Sequence, residues 1–218
     1  MAIILHGAPL SPYVRKVRVL LAEKSLEYKL EVVLPYAQPE GYDKLNPLGR
    51  IPALEDDDIT LADSAIICHY LEQTHPTPSL IPSAPADRAQ CEWLEKYADY
   101  ELSQATTASI FRESLIVPLM KKEPDQARIN NALDNQLPPL LDYLEKQLGT
   151  NEWFVNNQFS LADISIACQL INMEHAGHFL DGKRWPAMQR FLQRSYDRDS
   201  FSLIKQERKQ IEKIRGLI

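Results

Sequence analysis

The hydrophobic pattern of this chain changes near residue 80. Before that point, short apolar runs alternate with helix-like segments. After it, the strong patterns have the 3.6-residue period of a helix. Four prolines, Pro76, Pro78, Pro82 and Pro85, separate the two regions and indicate a stiff, non-helical connector. We therefore predict an α+β domain over residues 1–78, a Pro-rich linker over 79–86 and an all-helical domain over 87–218.

The first region has the element order βαβ followed by ββα. Ser11-Pro12 is a typical helix start, with serine as the N-cap and proline at the first helical position. Asp56-Asp57-Asp58 indicates a tight hairpin turn, which makes its two strands antiparallel, so the predicted four-stranded sheet is mixed. The predicted elements are strands at 3–6, 28–32, 53–55 and 59–61, and helices from Ser11 and from about Ser64.

Two helix starts are informative in the second region. Pro138-Pro139 interrupts a leucine series with helical spacing, so it must kink that helix or begin a new one. Ser160 and Asp163 have the spacing of a capping box, and Phe159 and Ile164 the spacing of a hydrophobic staple. We interpret this second motif as a folding signal for a buried helix.

Composition and charge exclude several classes of protein. The formal net charge is −6, from 24 basic and 30 acidic side chains, which has the wrong sign for a general nucleic-acid binder. Three widely spaced cysteines indicate reduced thiols, and no apolar run is long enough to span a membrane, so we expect a cytoplasmic protein that binds neither nucleic acid nor membrane. His175 and His178 lack a third ligand at matching spacing, so we expect no metal. We interpret Arg15, Lys16 and Arg18 as a solvated helix face.

Ile51-Pro52 places a proline at the entry to a predicted strand, where it gives no N–H to a sheet. An X-Pro bond adopts the cis form at a cost of only about 0.5–1 kcal/mol. A cis bond here would turn the N–H and carbonyl of Ile51 outward, where an extended peptide can pair with them. The alternative is an ordinary turn before a strand.

Two helix starts offer charged and polar groups to such a peptide. Ser11 lies at a strand-to-helix turn, where the positive end of the helix favours an anion and the hydroxyl can donate to a thiolate. Asp63-Ser64 lies at the next helix start, where helix N–H groups suit a carboxylate and the Asp63 side chain suits an ammonium. The alternative is that Ser11 and Asp63 are simple N-caps with no ligand.

Four segments together resemble the cytosolic glutathione transferases over nearly the whole chain. The segments are Ser11-Pro-Tyr-Val-Arg-Lys-Val-Arg-Val19, Asn46-Pro-Leu-Gly-Arg-Ile-Pro-Ala-Leu54, Ala62-Asp-Ser-Ala-Ile-Ile-Cys-His-Tyr-Leu71 and Phe159-Ser-Leu-Ala-Asp-Ile164. The resemblance implies a thioredoxin-like N-terminal domain, an all-α C-terminal domain, a homodimer and a role in detoxification. Within that family, the chain is most similar to the serine-type, theta/zeta/tau-like bacterial class.

The resemblance also implies roles for individual residues. Ser11 would activate the thiol of glutathione, the co-substrate, with Tyr13 as second choice. Ile51 and a cis Pro52 would hold the cysteinyl unit, Asp63 and Ser64 the γ-glutamyl end. The implied glutathione-binding residues are Ser11, Gln38, Arg50, Ile51, Pro52, Asp63 and Ser64, with Gln38 and Arg50 at the glycyl end. The implied electrophile-pocket residues are Leu10, Pro35, Tyr36, Phe111 and Leu115.

The chain departs from some members of that family. Tyrosine-type classes carry a catalytic tyrosine where this chain has His6, and omega and beta classes carry a cysteine near the first helix, where this chain has Ser11. Conjugation of the glutathione thiolate to small apolar electrophiles is therefore the expected activity. A maleylacetoacetate isomerase-like or peroxidase reaction is an alternative in the same site. A second alternative is a non-catalytic protein similar to the stringent starvation proteins, which bind RNA polymerase.

Overall fold

The computed structural model describes residues 3–217. The chain divides into two compact units, with the boundary between Ile81 and Pro82. That boundary falls inside the predicted linker over 79–86, and the first helix of the second unit begins at Pro85, still within that linker. Each unit is described by itself below.

The first unit has the predicted βαβ-ββα order. Its sheet is arranged β2-β1-β3-β4, with β1 and β2 parallel and the other neighbours antiparallel. The mixed four-stranded sheet and the thioredoxin-like architecture are thus confirmed. The elements are β1 Ile3–His6, α1 Pro12–Glu23, β2 Tyr28–Glu31, a 3₁₀ turn Tyr42–Lys44, β3 Ala53–Asp56, β4 Ile59–Ala62 and α2 Ser64–Thr74.

Local sequence accounts for most of these boundaries. The β3–β4 hairpin turns at Asp57-Asp58, and Asp57 takes the left-handed conformation (φ 50°) that aspartate tolerates better than most residues. Leu5 and Leu54 are paired across the sheet and fully buried, because they lie on its core face. β2 ends one residue earlier than predicted, and Val32 is exposed.

The basic residues of α1 contradict one prediction. Arg15, Lys16 and Arg18 are all buried, so the interpretation of a solvated face is wrong. Arg18 donates from Nε to the hydroxyl of Tyr28 at 3.0 Å, across to β2. Arg15 and Lys16 are buried together with their charged ends, and the helical spacing of basic residues does not distinguish such a face from one that meets solvent.

A buried ion pair organises the end of the first unit. Lys24 and Glu72 lie 2.7 Å apart, and the Lys24 ammonium also donates to the carbonyls of His75 and Pro78 at 2.7 and 2.8 Å. Glu72 in turn accepts from the N–H of Leu80 at 3.0 Å. Two side chains far apart in sequence thereby hold the irregular segment at residues 75–81 through hydrogen bonds to its backbone.

The second unit is helical, as predicted. Pro138 and Pro139 lie in the first turn of α6, so they begin a new α-helical segment after a short π-helical segment. No helix among residues 3–217 is both long and apolar enough to cross a bilayer. The segments are α3 Pro85–Lys96, π-helical segments at Tyr97–Leu102 and Gln104–Ile116, α4 Val117–Leu119, α5 Gln126–Asn131, a π-helical segment at Ala132–Gln136, α6 Leu137–Leu148, α7 Leu161–His175, α8 Pro186–Tyr196, a 3₁₀ turn Asp199–Phe201 and α9 Ile204–Arg215.

The capping box at the start of α7 is confirmed. The fully buried Asp163 carboxylate accepts from the N–H and the hydroxyl of Ser160, both at 2.8 Å, and from the N–H of Phe154 at 3.0 Å. Burial raises the pKa of Asp163 to about 6 despite these hydrogen bonds. The motif therefore joins the helix start to the preceding loop as well as capping it.

Candidate functional site

One edge of the sheet brings three of the predicted site segments together. β1 and β3 are antiparallel with His6 opposite Ala53, and β3 and β4 are antiparallel with Ala53 opposite Ala62. The end of β1, the start of β3 and the end of β4 therefore meet at one edge. The loop to Ser11, the Ile51-Pro52 dipeptide and the Asp63-Ser64 dipeptide all adjoin those ends.

Gly7 allows two of these segments to approach closely. A Cβ atom at position 7 would lie 2.4 Å from Cγ2 of Val14 and 3.5 Å from Cβ of Ile51. Val14 is fully buried and β-branched, so its methyl group has little freedom to move aside. Glycine at position 7 therefore lets α1 lie against the end of β1, next to Ile51.

Ser11 is the N-cap of α1. Its backbone is extended (φ −71°, ψ 128°), and its Oγ accepts from the N–H of Val14 at 3.4 Å. Such a contact is long for a hydrogen bond and uses only an oxygen lone pair, so the hydroxyl proton remains available for a second partner. Tyr13, the second choice for the catalytic residue, lies half-buried in the same first turn.

Ile51 precedes β3 as predicted, and the Ile51-Pro52 bond is cis. Pro52 is buried and Ile51 is half-buried. Within residues 3–217, the N–H of Ile51 has no backbone acceptor. The dipeptide thus presents a main-chain donor at the edge of the sheet.

Asp63 is the N-cap of α2, and its Oδ1 accepts from the N–H of Ala65 at 2.8 Å. Its backbone has φ 75° and ψ 128°, whereas an ordinary N-cap such as Ser11 is extended. Non-glycine residues at positive φ are uncommon, and they cluster at functional sites. Ser64 follows at the first helical position and is buried.

The other residues predicted to bind glutathione or the electrophile do not lie directly at the ends of β1, β3 and β4. Gln38 is half-buried and its amide donates to the carbonyl of Gly49, so it links the ends of the loop that precedes Arg50, which is exposed. Of the electrophile-pocket residues in the first unit, Leu10 is buried while Pro35 and Tyr36 are exposed. Phe111 and Leu115 are buried in the second unit. These binding roles stay predictions.

Two histidines have carboxylate partners. His6, at the end of β1, lies 2.6 Å from Oε1 of Glu55 on β3. His175 lies 3.0 Å from Oε2 of Glu207, so it connects α7 to α9. In the described part of the chain, no group of three or more His, Cys, Asp or Glu side chains could hold a metal ion.

Sequence reasoning missed two residues beside the site. The hydroxyl of Tyr42 and the side-chain amide of Asn46 both donate to the carbonyl of Arg50, at 2.9 and 2.8 Å. Asn46 opens the motif that ends at Leu54, so its position was visible in the sequence. Its partner was not, because a side-chain hydrogen bond to a backbone atom leaves no periodic pattern.

Comparison with known proteins identifies the family of this chain. Residues 5–79 match the family model of the glutathione S-transferase N-terminal domain, and residues 126–194 match that of the C-terminal domain. The chain is 31% identical to a stringent starvation protein A homolog of Haemophilus ducreyi, over 87% of this chain and 83% of that protein.

Two solved structures are similar in fold as well as in sequence. A glutathione S-transferase from Rhodospirillum rubrum superposes with a TM-score of 0.84 at 30% identity, covering 91% of this chain and 90% of the other. FzlA from C. crescentus superposes with a TM-score of 0.85 at 27% identity, covering 92% and 90%. With both domain models matched in order, the chain belongs to the cytosolic glutathione transferase family.

Proposed function

We propose that this protein is a serine-type glutathione transferase that joins the sulfur of glutathione to a small apolar electrophile. The observation that carries the proposal is the shared sheet edge. It combines a helix-capping hydroxyl at Ser11, a main-chain donor at Ile51 that has no backbone acceptor among residues 3–217, and an aspartate at a helix start at Asp63-Ser64. These groups match the thiol, the cysteinyl backbone and the γ-glutamyl head group of the tripeptide in turn.

The proposed chemistry needs an ionised thiol near neutral pH. A cysteine-like thiol has a pKa of about 8.5, so lowering it by about two units takes roughly 2.7 kcal/mol of preference for the thiolate. A hydrogen bond from the Ser11 hydroxyl and the positive end of α1 would contribute much of that energy. The hydroxyl can serve both as cap and as thiolate donor, because the first role uses a lone pair and the second the proton.

In the proposed reaction, the thiolate attacks an electrophilic carbon. A carbon–sulfur bond forms, the leaving group departs with its electron pair, and the thiol proton has already passed to solvent. Most of the acceleration would come from holding the two reactants together. With an aryl halide the leaving group is the halide ion, which provides a simple assay.

The test has a binding arm and a turnover arm. The purified protein should be retained on immobilised glutathione, be released by free glutathione, and consume a generic aryl halide only when glutathione is present. A panel that includes cis-alkene isomerisation and hydroperoxide reduction would distinguish conjugation from the isomerase and peroxidase alternatives. Absence of both retention and turnover would exclude the transferase function.

The similarity to a stringent starvation protein A homolog supports a second candidate, a non-catalytic protein that binds RNA polymerase. The side chains at the sheet edge favour the enzyme, because the Ser11 cap uses only a lone pair of its hydroxyl and leaves the proton available for a ligand. Co-purification of RNA polymerase with a protein that fails to bind glutathione would favour the second candidate.

A further inference from the structure

The Arg50 carbonyl is held by two buried side chains. The Tyr42 hydroxyl donates to it at 2.9 Å and the Asn46 amide at 2.8 Å. Tyr42 is 3% and Asn46 4% exposed, so both donors lie in the interior of the first unit. A carbonyl with both lone pairs engaged by rigid partners has a fixed direction.

Each donor is itself fixed in place. The ring of Tyr42 packs in a buried cluster with Val33 and Ala53, and burial raises the pKa of its hydroxyl, which therefore stays protonated at neutral pH. Oδ1 of Asn46 accepts from the N–H of Leu48 at 3.0 Å, which orients the amide so that its nitrogen faces Arg50. Neither donor can rotate away without breaking another contact.

The orientation of that carbonyl determines the orientation of the next N–H. The Arg50–Ile51 peptide is trans, since the cis bonds among residues 3–217 are Ile51-Pro52 and Thr77-Pro78. In a planar trans peptide the C=O and N–H point in opposite directions. Drawing the Arg50 carbonyl toward the buried pair therefore directs the Ile51 N–H away from it, and that N–H lacks a backbone acceptor within the described range.

We propose that Tyr42 and Asn46 are positioning residues that set the affinity for glutathione by presenting the Ile51 N–H to the cysteinyl carbonyl of the ligand. The proposal rests on the proposed function and deepens it. Neither side chain need touch the ligand, because each acts through one backbone peptide. Preorganising that donor removes an ordering cost that binding would otherwise bear.

The test compares two ligands on each protein by titration calorimetry. The first ligand is glutathione. The second is an analogue in which a trans-alkene replaces the cysteinyl–glycyl amide, so that it keeps the extended shape but lacks the carbonyl acceptor. Tyr42→Phe keeps the packed ring and removes one donor. We expect glutathione to bind about three- to tenfold more weakly, the range of one hydrogen bond, while the analogue is nearly unaffected.

The decisive quantity is the affinity for glutathione divided by the affinity for the alkene analogue. Tyr70→Phe is the matched control, because it removes a tyrosine hydrogen bond to Asp56 instead, and its ratio should equal that of the unmodified protein. Asn46→Asp, which retains the acceptor for Leu48, should lower the ratio as Tyr42→Phe does. It provides an independent reading if the tyrosine variant is unstable.

Two results would overturn the proposal in different ways. If Tyr42→Phe weakens both ligands equally, or neither, Tyr42 has only a structural role and the positioning proposal fails while the proposed function stands. If the unmodified protein does not bind glutathione at all, the proposed function fails and the positioning proposal fails with it.

Discussion

The hydroxyl of Ser11 is the smallest group on which the proposed chemistry depends. Ser11→Ala removes the helix cap and the proposed thiolate donor together. The contact with Val14 is long, so we expect the loss of the cap to cost at most about 1 kcal/mol of stability, while the loss of the donor should appear in the pKa of the bound thiol.

For Ser11→Ala we expect the pKa of bound glutathione to rise by one to two units, toward the ordinary thiol value of about 8.5. Activity at pH 7 should fall by roughly three- to twenty-fivefold and recover above pH 9, because the ionised fraction of the thiol at pH 7 drops from about three quarters to between about a quarter and a few per cent. Thiolate absorbance of the binary complex against pH measures this shift. Ser11→Thr, which keeps a hydroxyl, should retain a low pKa; an unchanged profile in the alanine variant would remove Ser11 from its proposed role.

At Asp63 the helix-capping role can be separated from the proposed ligand-binding role. Asparagine is as good an N-cap as aspartate, so Asp63→Asn should preserve the start of α2 while removing the charge proposed to meet the ligand ammonium. We expect glutathione affinity to fall about tenfold or more, the usual cost of losing a charged hydrogen bond, with the melting temperature and the bound-thiol pKa unchanged. Unaltered affinity in calorimetry would refute the head-group assignment.

At the scale of elements, the fold encloses polar groups whose removal one at a time would be costly. Lys24 and Glu72 are an ion pair with almost no exposed side-chain surface, and they fix the segment that ends the first unit. Breaking one side of such a pair leaves an uncompensated charge in the interior.

Lys24→Met should lower the free energy of unfolding by about 3–5 kcal/mol, as expected for half of a buried pair. The matched control is Lys29→Met, because Lys29 and Glu31 form an ion pair in which both side chains are well exposed. Urea denaturation should give a much lower midpoint for the first variant and a nearly unchanged one for the control. Equal midpoints would mean that the Lys24–Glu72 pair contributes no more than a surface contact.

The capping box of α7 makes a prediction with a definite sign. Asp163 has a pKa of about 6 in the folded state and an ordinary value near 3.8 when exposed, so the folded protein binds the proton more tightly. The Asp163 contribution therefore becomes more stabilising as the pH falls from about 7 to about 4, and it is lost as the pH rises through 6. The change amounts to about 3 kcal/mol across that window.

The comparison of the protein with Asp163→Asn isolates this effect, because asparagine does not titrate. We expect the difference in unfolding free energy between the two proteins, measured by urea denaturation at several pH values, to shift in favour of aspartate as the pH falls. A difference independent of pH between 4 and 7 would show that Asp163 is not the buried titrating group.

At the scale of the whole molecule, sequence predicted those features that local chemistry determines. The Ser11-Pro12 helix start, the aspartate hairpin and the capping box all depend on residues within a few positions of one another. The shared sheet edge depends instead on the pairing of β1 with β3, which are far apart in sequence, so the site segments were predicted one by one and their meeting at one edge was not.

Contacts between distant residues were not predictable in the same way. Lys24 and Glu72 are separated by most of the first unit, and Tyr42 reaches Arg50 through a loop with little regular structure. The buried Arg15 and Lys16 likewise look like surface residues in a helical pattern. Polar partners that are far apart in sequence depend on how the elements pack in three dimensions. The hydrophobic periodicity of the sequence does not indicate this packing.

The close packing at Gly7 has a consequence for how this protein can vary. Any side chain there would clash with the buried Val14 and push on α1, whereas its Cβ would meet Ile51 at an ordinary van der Waals distance. A single added methyl group would thus displace the helix that carries the proposed thiol donor, even though Ser11 itself had not mutated. Position 7 should tolerate almost no replacement in a variant library selected for glutathione capture, while the half-buried Ala8 and Pro9 on the same loop should tolerate more.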